Sequence, residues 1–228
     1  MPLFGRLHVV LLLGIAAGAA ALAVLCRRGW IRGRIVRLAL GIGLAGNEAA
    51  WWVFRYSHEG LHLWNLPLQL CDLTIWATVL ACLRPAPWIV EFAYFAGLAG
   101  AGMALLTPDL WSPWPSYPAI YFFAAHGGIV VAVAALVFGG VARPGTRPPW
   151  RAFRLLLAYT AIIGLFDATT GTNYMYLRRK PRNESLLDAF GPWPAYLVGG
   201  AASALALFWL LWLPLRATAR RLSGVTQR

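Results

Sequence analysis

Tyr117-Pro118-Ala119-Ile120-Tyr121-Phe122-Phe123-Ala124-Ala125-His126-Gly127-Gly128-Ile129-Val130-Val131-Ala132-Val133-Ala134-Ala135-Leu136-Val137-Phe138-Gly139 carries no Asp, Glu, Lys or Arg. As a helix rising ~1.5 Å per residue, it is long enough for the hydrocarbon core of a bilayer, which asks for ~20 apolar residues. Working outward, six more stretches read as spans: 8–26, 35–54, 67–83, 88–106, 152–170 and 193–214. Pro67, Pro118 and Pro194 fall at or near the starts of their spans, where a missing N–H costs nothing. Hydrophobic residues make up 60% of the chain and charged residues 12%, a balance soluble domains rarely reach. The predicted fold is all-α: one polytopic bundle of seven transmembrane helices over residues 1–228, with no soluble domain, linker or internal repeat. Arg6 and the small residues Ala19–Ala23 mimic a signal peptide, but the apolar run after Arg6 has full spanning length and reads as a retained helix.

The net charge of +12 does not point to nucleic acid. The basic residues lie in short clusters between apolar runs, as topology signals do. One side of the membrane receives Arg27, Arg28, Arg32, Arg34, Arg37, Arg84, Arg143, Arg147, Arg151, Arg154, Arg216, Arg220, Arg221 and Arg228. The other receives only Arg6, Arg55, Arg178, Arg179, Lys180 and Arg182. The richer side is expected in the cytoplasm, which puts the N-terminus outside and the C-terminus inside. Four of the six outer cations share the last outer loop, a local cluster suited to holding lipid phosphate.

Depth then sorts the polar residues. Counted from the outer ends of their spans, Cys71 lies about 6 Å in, Asn47 and Glu48 roughly 9–10 Å, and His126 about 13 Å. Asp167 closes the sixth span at its outer end. Ionisable groups inside a membrane are costly and face a bundle interior or cavity, so these residues are expected to share a polar cavity in the outer half. Cys71 and His126 then form a nucleophile and base, because a thiol attacks as its thiolate. Glu48 is a candidate to orient the imidazole, or a carboxyl satisfied by Asn47 or a backbone carbonyl. Asp72 points ~100° away from Cys71 on the helix and is expected to support a neighbouring helix. On its own, Cys71 reads as a small buried hydrophobe, and Cys26 and Cys82 read that way throughout. His126 equally suits a bond across the bundle. The three cysteines show no disulfide spacing, and no metal-ligating motif or phosphate-cradling loop is present, so no metal or cofactor is expected.

The last outer loop is dense in hydrogen-bonding groups: Asp167-Ala168-Thr169-Thr170-Gly171-Thr172-Asn173-Tyr174-Met175-Tyr176-Leu177-Arg178-Arg179-Lys180-Pro181. Irregular backbone is not tolerated against lipid, so this loop is expected in water or folded as a lid.

The string Leu66-Pro67-Leu68-Gln69-Leu70-Cys71, the pair His126-Gly127, and the run Gly171 to Leu177 followed by Lys180-Pro181 resemble the YwaF-type bacterial membrane proteins and their animal relative, transmembrane protein 164. Ser185-Leu186-Leu187-Asp188 and Gly191-Pro192-Trp193-Pro194 extend the resemblance over nearly the whole chain. It implies a cysteine-dependent acyltransferase moving fatty acyl chains between phospholipids and lysophospholipids, with Cys71 as nucleophile and His126 as its partner, in the bacterial cytoplasmic membrane. Thr172, Asn173 and Tyr174 are then candidates for oxyanion or substrate binding, and Arg178, Arg179 and Lys180 for the phosphate. Water as acceptor would make the protein a lipase. Two other classes fit seven helices with a polar outer cavity: a transporter or lipid-binding protein, and a structural factor in which the polar groups are packing glue.

Overall fold

A computed structural model describes residues 3–110, 112–145, 149–181 and 185–225, the side chains of Leu186 and of residues 217–225 excepted. Arg147, Arg182 and Arg228 of the basic count lie outside the described residues, as do the side chains of Arg220 and Arg221. The described residues form helices and turns only. Seven helices follow the seven apolar stretches: α1 (Arg6–Arg27), α2 (Gly33–Glu59), α3 (Leu70–Leu83), α4 (Pro87–Leu106), α5 (Tyr117–Val137), α6 (Trp150–Thr170) and α7 (Ala195–Val225).

Five of them, α1 and α4–α7, are long and apolar enough to cross a membrane. α2 is long but carries Arg34, Arg37 and Glu48, and α3 has only 14 residues. The predicted third span began at 67; the helix starts three residues later, because Pro67 biases Leu66 toward extended backbone and Gln69 is the residue whose N–H Asp72 caps. Apolar side chains stand far out of the protein: Val10 and Leu13 on α1 are each 63% exposed, Leu165 on α6 68% and Val198 on α7 72%. Faces of this kind call for lipid rather than water, and the protein is an integral membrane protein.

Contacts cluster into two compact units, Met1–Pro144 and Gly145–Arg228.

In the first unit α5 is the central helix. Its Gly127-Gly128 pair lets two neighbours close in: a Cβ on Gly127 would stand 2.9 Å from Ile15 of α1, and one on Gly128 2.6 Å from Leu44 of α2. Gly41 of α2 sits equally close to α3, where a Cβ would lie 2.8 Å from that of Cys82. α4 is interrupted by a π-turn at Ala93–Gly97, whose five residues are all buried. That turn brings Gly97 against Thr78 of α3 and Ile129 of α5. Buried His8 fastens the start of α1: its Nδ1 accepts from the Phe4 N–H and its Nε2 donates to the Leu105 carbonyl. In the second unit α6 ends at Gly171, in the left-handed conformation at φ 80, which glycine adopts without a Cβ clash.

Candidate functional site

Between α2 and α3 the chain must turn and deliver Cys71. Gly60, at φ 73, closes α2. Asn65, fully buried, then organises the turn: its Nδ2 donates to the Gly60 carbonyl at 2.8 Å and its Oδ1 accepts from the His62 N–H at 2.9 Å. Gln69 caps α3, and its N–H is bonded by Asp72 Oδ2 at 2.8 Å. Cys71 is therefore the second residue of the helix. It lies in the first turn, whose N–H groups have no intrahelical acceptor and carry the positive end of the helix dipole. It is half-buried, whereas Cys82 is fully buried, and all three cysteines are free.

His126, on α5 and 5% exposed, meets it. Its Nε2 lies 3.2 Å from Cys71 Sγ, and its Nδ1 2.8 Å from the Phe122 carbonyl one turn earlier. A carbonyl only accepts, so Nδ1 carries the ring proton and Nε2 turns its lone pair to the thiol. This is the tautomer a general base needs, with the orienter supplied by the backbone of its own helix.

Glu48 is the other candidate orienter from the sequence, and its hydrogen bonds go elsewhere. It is completely buried. Oε1 accepts from Trp52 Nε1 and Oε2 from Tyr121 Oη, both at 2.7 Å. Asp72 accepts from the Gln69 N–H and so caps its own helix. Asn47 Nδ2 is buried without a hydrogen-bond partner among the described residues. Tyr121, Trp52, Asn65 and the Phe122 carbonyl are the residues the sequence reading missed. Spacing held the only signal for two of them. Trp52 lies four residues after Glu48, one turn on, and Tyr121 precedes His126 on the same helix.

The remaining sequence candidates lie in the second unit. Asp167 is fully buried; Oδ1 accepts from Thr172 Oγ1 at 2.6 Å and from the Tyr174 N–H at 3.0 Å, while Oδ2 has no partner among the described residues. Asn173 Oδ1 accepts from the N–H groups of Arg178 and Arg179, and its Nδ2 donates to the Arg179 carbonyl. Thr172 and Asn173 thus build the loop from within. They hold Met175 and Tyr176 at φ 52 and 56, left-handed backbone that side chains rarely adopt. Tyr196 of α7 steadies the same bend, donating to the Tyr176 carbonyl at 2.6 Å. Lys180 pairs with Asp188 at 3.2 Å and lies over the Tyr196 ring. Arg178 and Arg179 are exposed.

Neither a curated protein nor a solved structure matches the chain. A family does, over residues 3–213, a range that takes in the Cys71–His126 pair and the whole of the 171–181 loop: the chain belongs to the TMEM164 family.

Proposed function

We propose that the protein is an intramembrane acyltransferase acting on phospholipids and lysophospholipids. The observation that carries this reading is the 3.2 Å contact from Cys71 Sγ to His126 Nε2, with Nδ1 tied to a carbonyl. A histidine that merely packed would have no need to present its free nitrogen to a half-buried thiol.

In the first half-reaction the Cys71 S–H proton passes to His126 Nε2 and the sulfur attacks the carbonyl carbon of an acyl ester. The C=O π electrons move onto oxygen. N–H groups of the first turn of α3, Cys71's own among them, receive that oxyanion. As the C–O bond breaks, the leaving alkoxide takes the proton back from Nε2 and departs as a lysophospholipid. A thioester remains on Cys71. In the second half the hydroxyl of another lysophospholipid gives its proton to Nε2 and attacks the thioester, and the thiol is restored. Water in place of that hydroxyl gives hydrolysis. Glu48, held by Trp52 on its own helix and by Tyr121 of α5, ties α2 to α5 beside the pair, and Asp72 caps α3. In the membrane all seven helices span, the N-terminus lies outside, and the site opens in the outer half of the bacterial cytoplasmic membrane, as the basic-residue asymmetry argues.

The test is acyl exchange from phospholipid to isotope-labelled lysophospholipid by purified protein in mixed micelles. Cys71→Ala should bring exchange to background, while Cys26→Ala and Cys82→Ala stay near wild type. Undiminished exchange in Cys71→Ala rejects covalent catalysis through this residue.

A further inference from the structure

The second unit holds a groove of about 390 Å³ between α6 and α7. The two helices meet near one end through Phe153 against Phe208 and Trp150 against Trp209. The groove lies toward the other end, beside Leu177 and Arg178 of the loop that follows α6. Its wall on α6 is Thr160, Gly164 and Ala168, one residue per turn and all small. Leu177 and Trp193 close it at the loop end, where Arg178 also lines it. From Ala168 to Thr160 the trough runs about 12 Å along the helix, close to the depth of one leaflet of a ~30 Å core.

Of the described loop cations Arg178, Arg179 and Lys180, Arg178 alone lines this groove, whereas Lys180 is engaged by Asp188 and Tyr196. One guanidinium N–H of Arg178 makes a long 3.4 Å bond to the Thr172 carbonyl, out of the five donors the group possesses. A planar cation at the mouth of an apolar trough, with a tryptophan at its rim, matches an amphiphile with an anionic head and a hydrocarbon tail. The geometry points to a phospholipid site in the second unit: the phosphate on Arg178 and one acyl chain along Thr160, Gly164 and Ala168. The occupant is a lipid of the bilayer rather than free phosphate, because only the lipid fills the apolar length. The inference stands apart from the chemistry at Cys71.

Native mass spectrometry of the full chain, delipidated in detergent and titrated with phosphatidylglycerol, tests it. Gly164→Leu fills the trough; the site tolerates a side chain, since a Cβ there meets only Leu177 Cδ1, at 3.7 Å. Wild type should retain one phosphatidylglycerol. Gly164→Leu should weaken retention about tenfold or more, the scale of ~1.4 kcal/mol in binding. Arg178→Gln, on the surface and harmless to folding, should weaken phosphatidylglycerol equally yet leave diacylglycerol retention unchanged. Gly18→Leu, on an open face of α1, should behave as wild type. Retention unaltered in both Gly164→Leu and Arg178→Gln, or lost equally in Gly18→Leu, overturns the site. Cys71→Ala should bind as wild type whether or not it still exchanges acyl chains, so the two readings fail separately.

Discussion

At the scale of the residue, the site depends on which hydrogen bonds are irreplaceable. The Phe122 carbonyl fixes the His126 tautomer, and Cys71 lies 3.2 Å from the free nitrogen. His126→Ala should therefore slow alkylation of Cys71 by a membrane-permeant electrophile and remove acyl exchange together, as residues acting as a unit do. Equal alkylation rates in the variant and wild type would leave the histidine a packing group. Glu48 makes a contrasting prediction. Glu48→Leu strands the Trp52 and Tyr121 donors inside the protein, at about 1–3 kcal/mol each. Tyr121→Phe removes one donor and should cost nearer 1 kcal/mol, both read by thermal unfolding in detergent. A Tyr121→Phe variant as damaged as Glu48→Leu would contradict that assignment. Cys71 and His126 were legible in the sequence because each interrupts an apolar run and depth pairs them. The roles of Trp52, Tyr121 and the Phe122 carbonyl were not, since they follow from which faces of α2 and α5 meet.

At the scale of the element, glycine positions separate contacts from open space. Gly41 abuts the Cβ of Cys82, an atom that cannot swing away, so Gly41→Ala should push α2 off α3 and cost about 1–3 kcal/mol. Gly46, with nothing within 4 Å, should gain up to ~1 kcal/mol as Ala through helix propensity alone. Melting temperatures moving in the same direction for both would show that the α2–α3 packing is misread. The short turn at Leu186–Phe190 responds to acid instead. The Ser185 N–H, and then Lys180, hold the exposed Asp188 carboxyl below its usual range. A depressed carboxyl stabilises above its unfolded value of ~3.9 and loses that effect as pH falls through the folded value. Hydrogen exchange at the Ser185 amide should therefore lose protection in acid, and Asp188→Asn should abolish the pH dependence. Helix existence was readable from apolar length, which is why the seven predicted spans return as seven helices. The start of α3 was not, because its boundary is set by Pro67, the Asn65 turn and the Gln69 cap acting together.

At the scale of the whole molecule, the basic asymmetry argues for an outside N-terminus and an outside 171–192 loop. Ser185→Cys, in a Cys-free background, should be labelled by an impermeant maleimide in intact cells; labelling only after permeabilisation would invert the topology and move the site to the inner half. The division runs between Met1–Pro144 and Gly145–Arg228. It places the thiol–imidazole pair wholly in the first unit and the 171–181 loop wholly in the second. The central claim is that Cys71 carries the acyl group in transit. Protein mixed with phospholipid, quenched in acid and digested, should yield a Cys71 peptide bearing a fatty acyl mass that hydroxylamine removes, and the His126→Ala protein should yield none. Peptides from an exchanging wild-type enzyme with Cys71 always unmodified, or with the acyl group on Cys26 or Cys82, would contradict it.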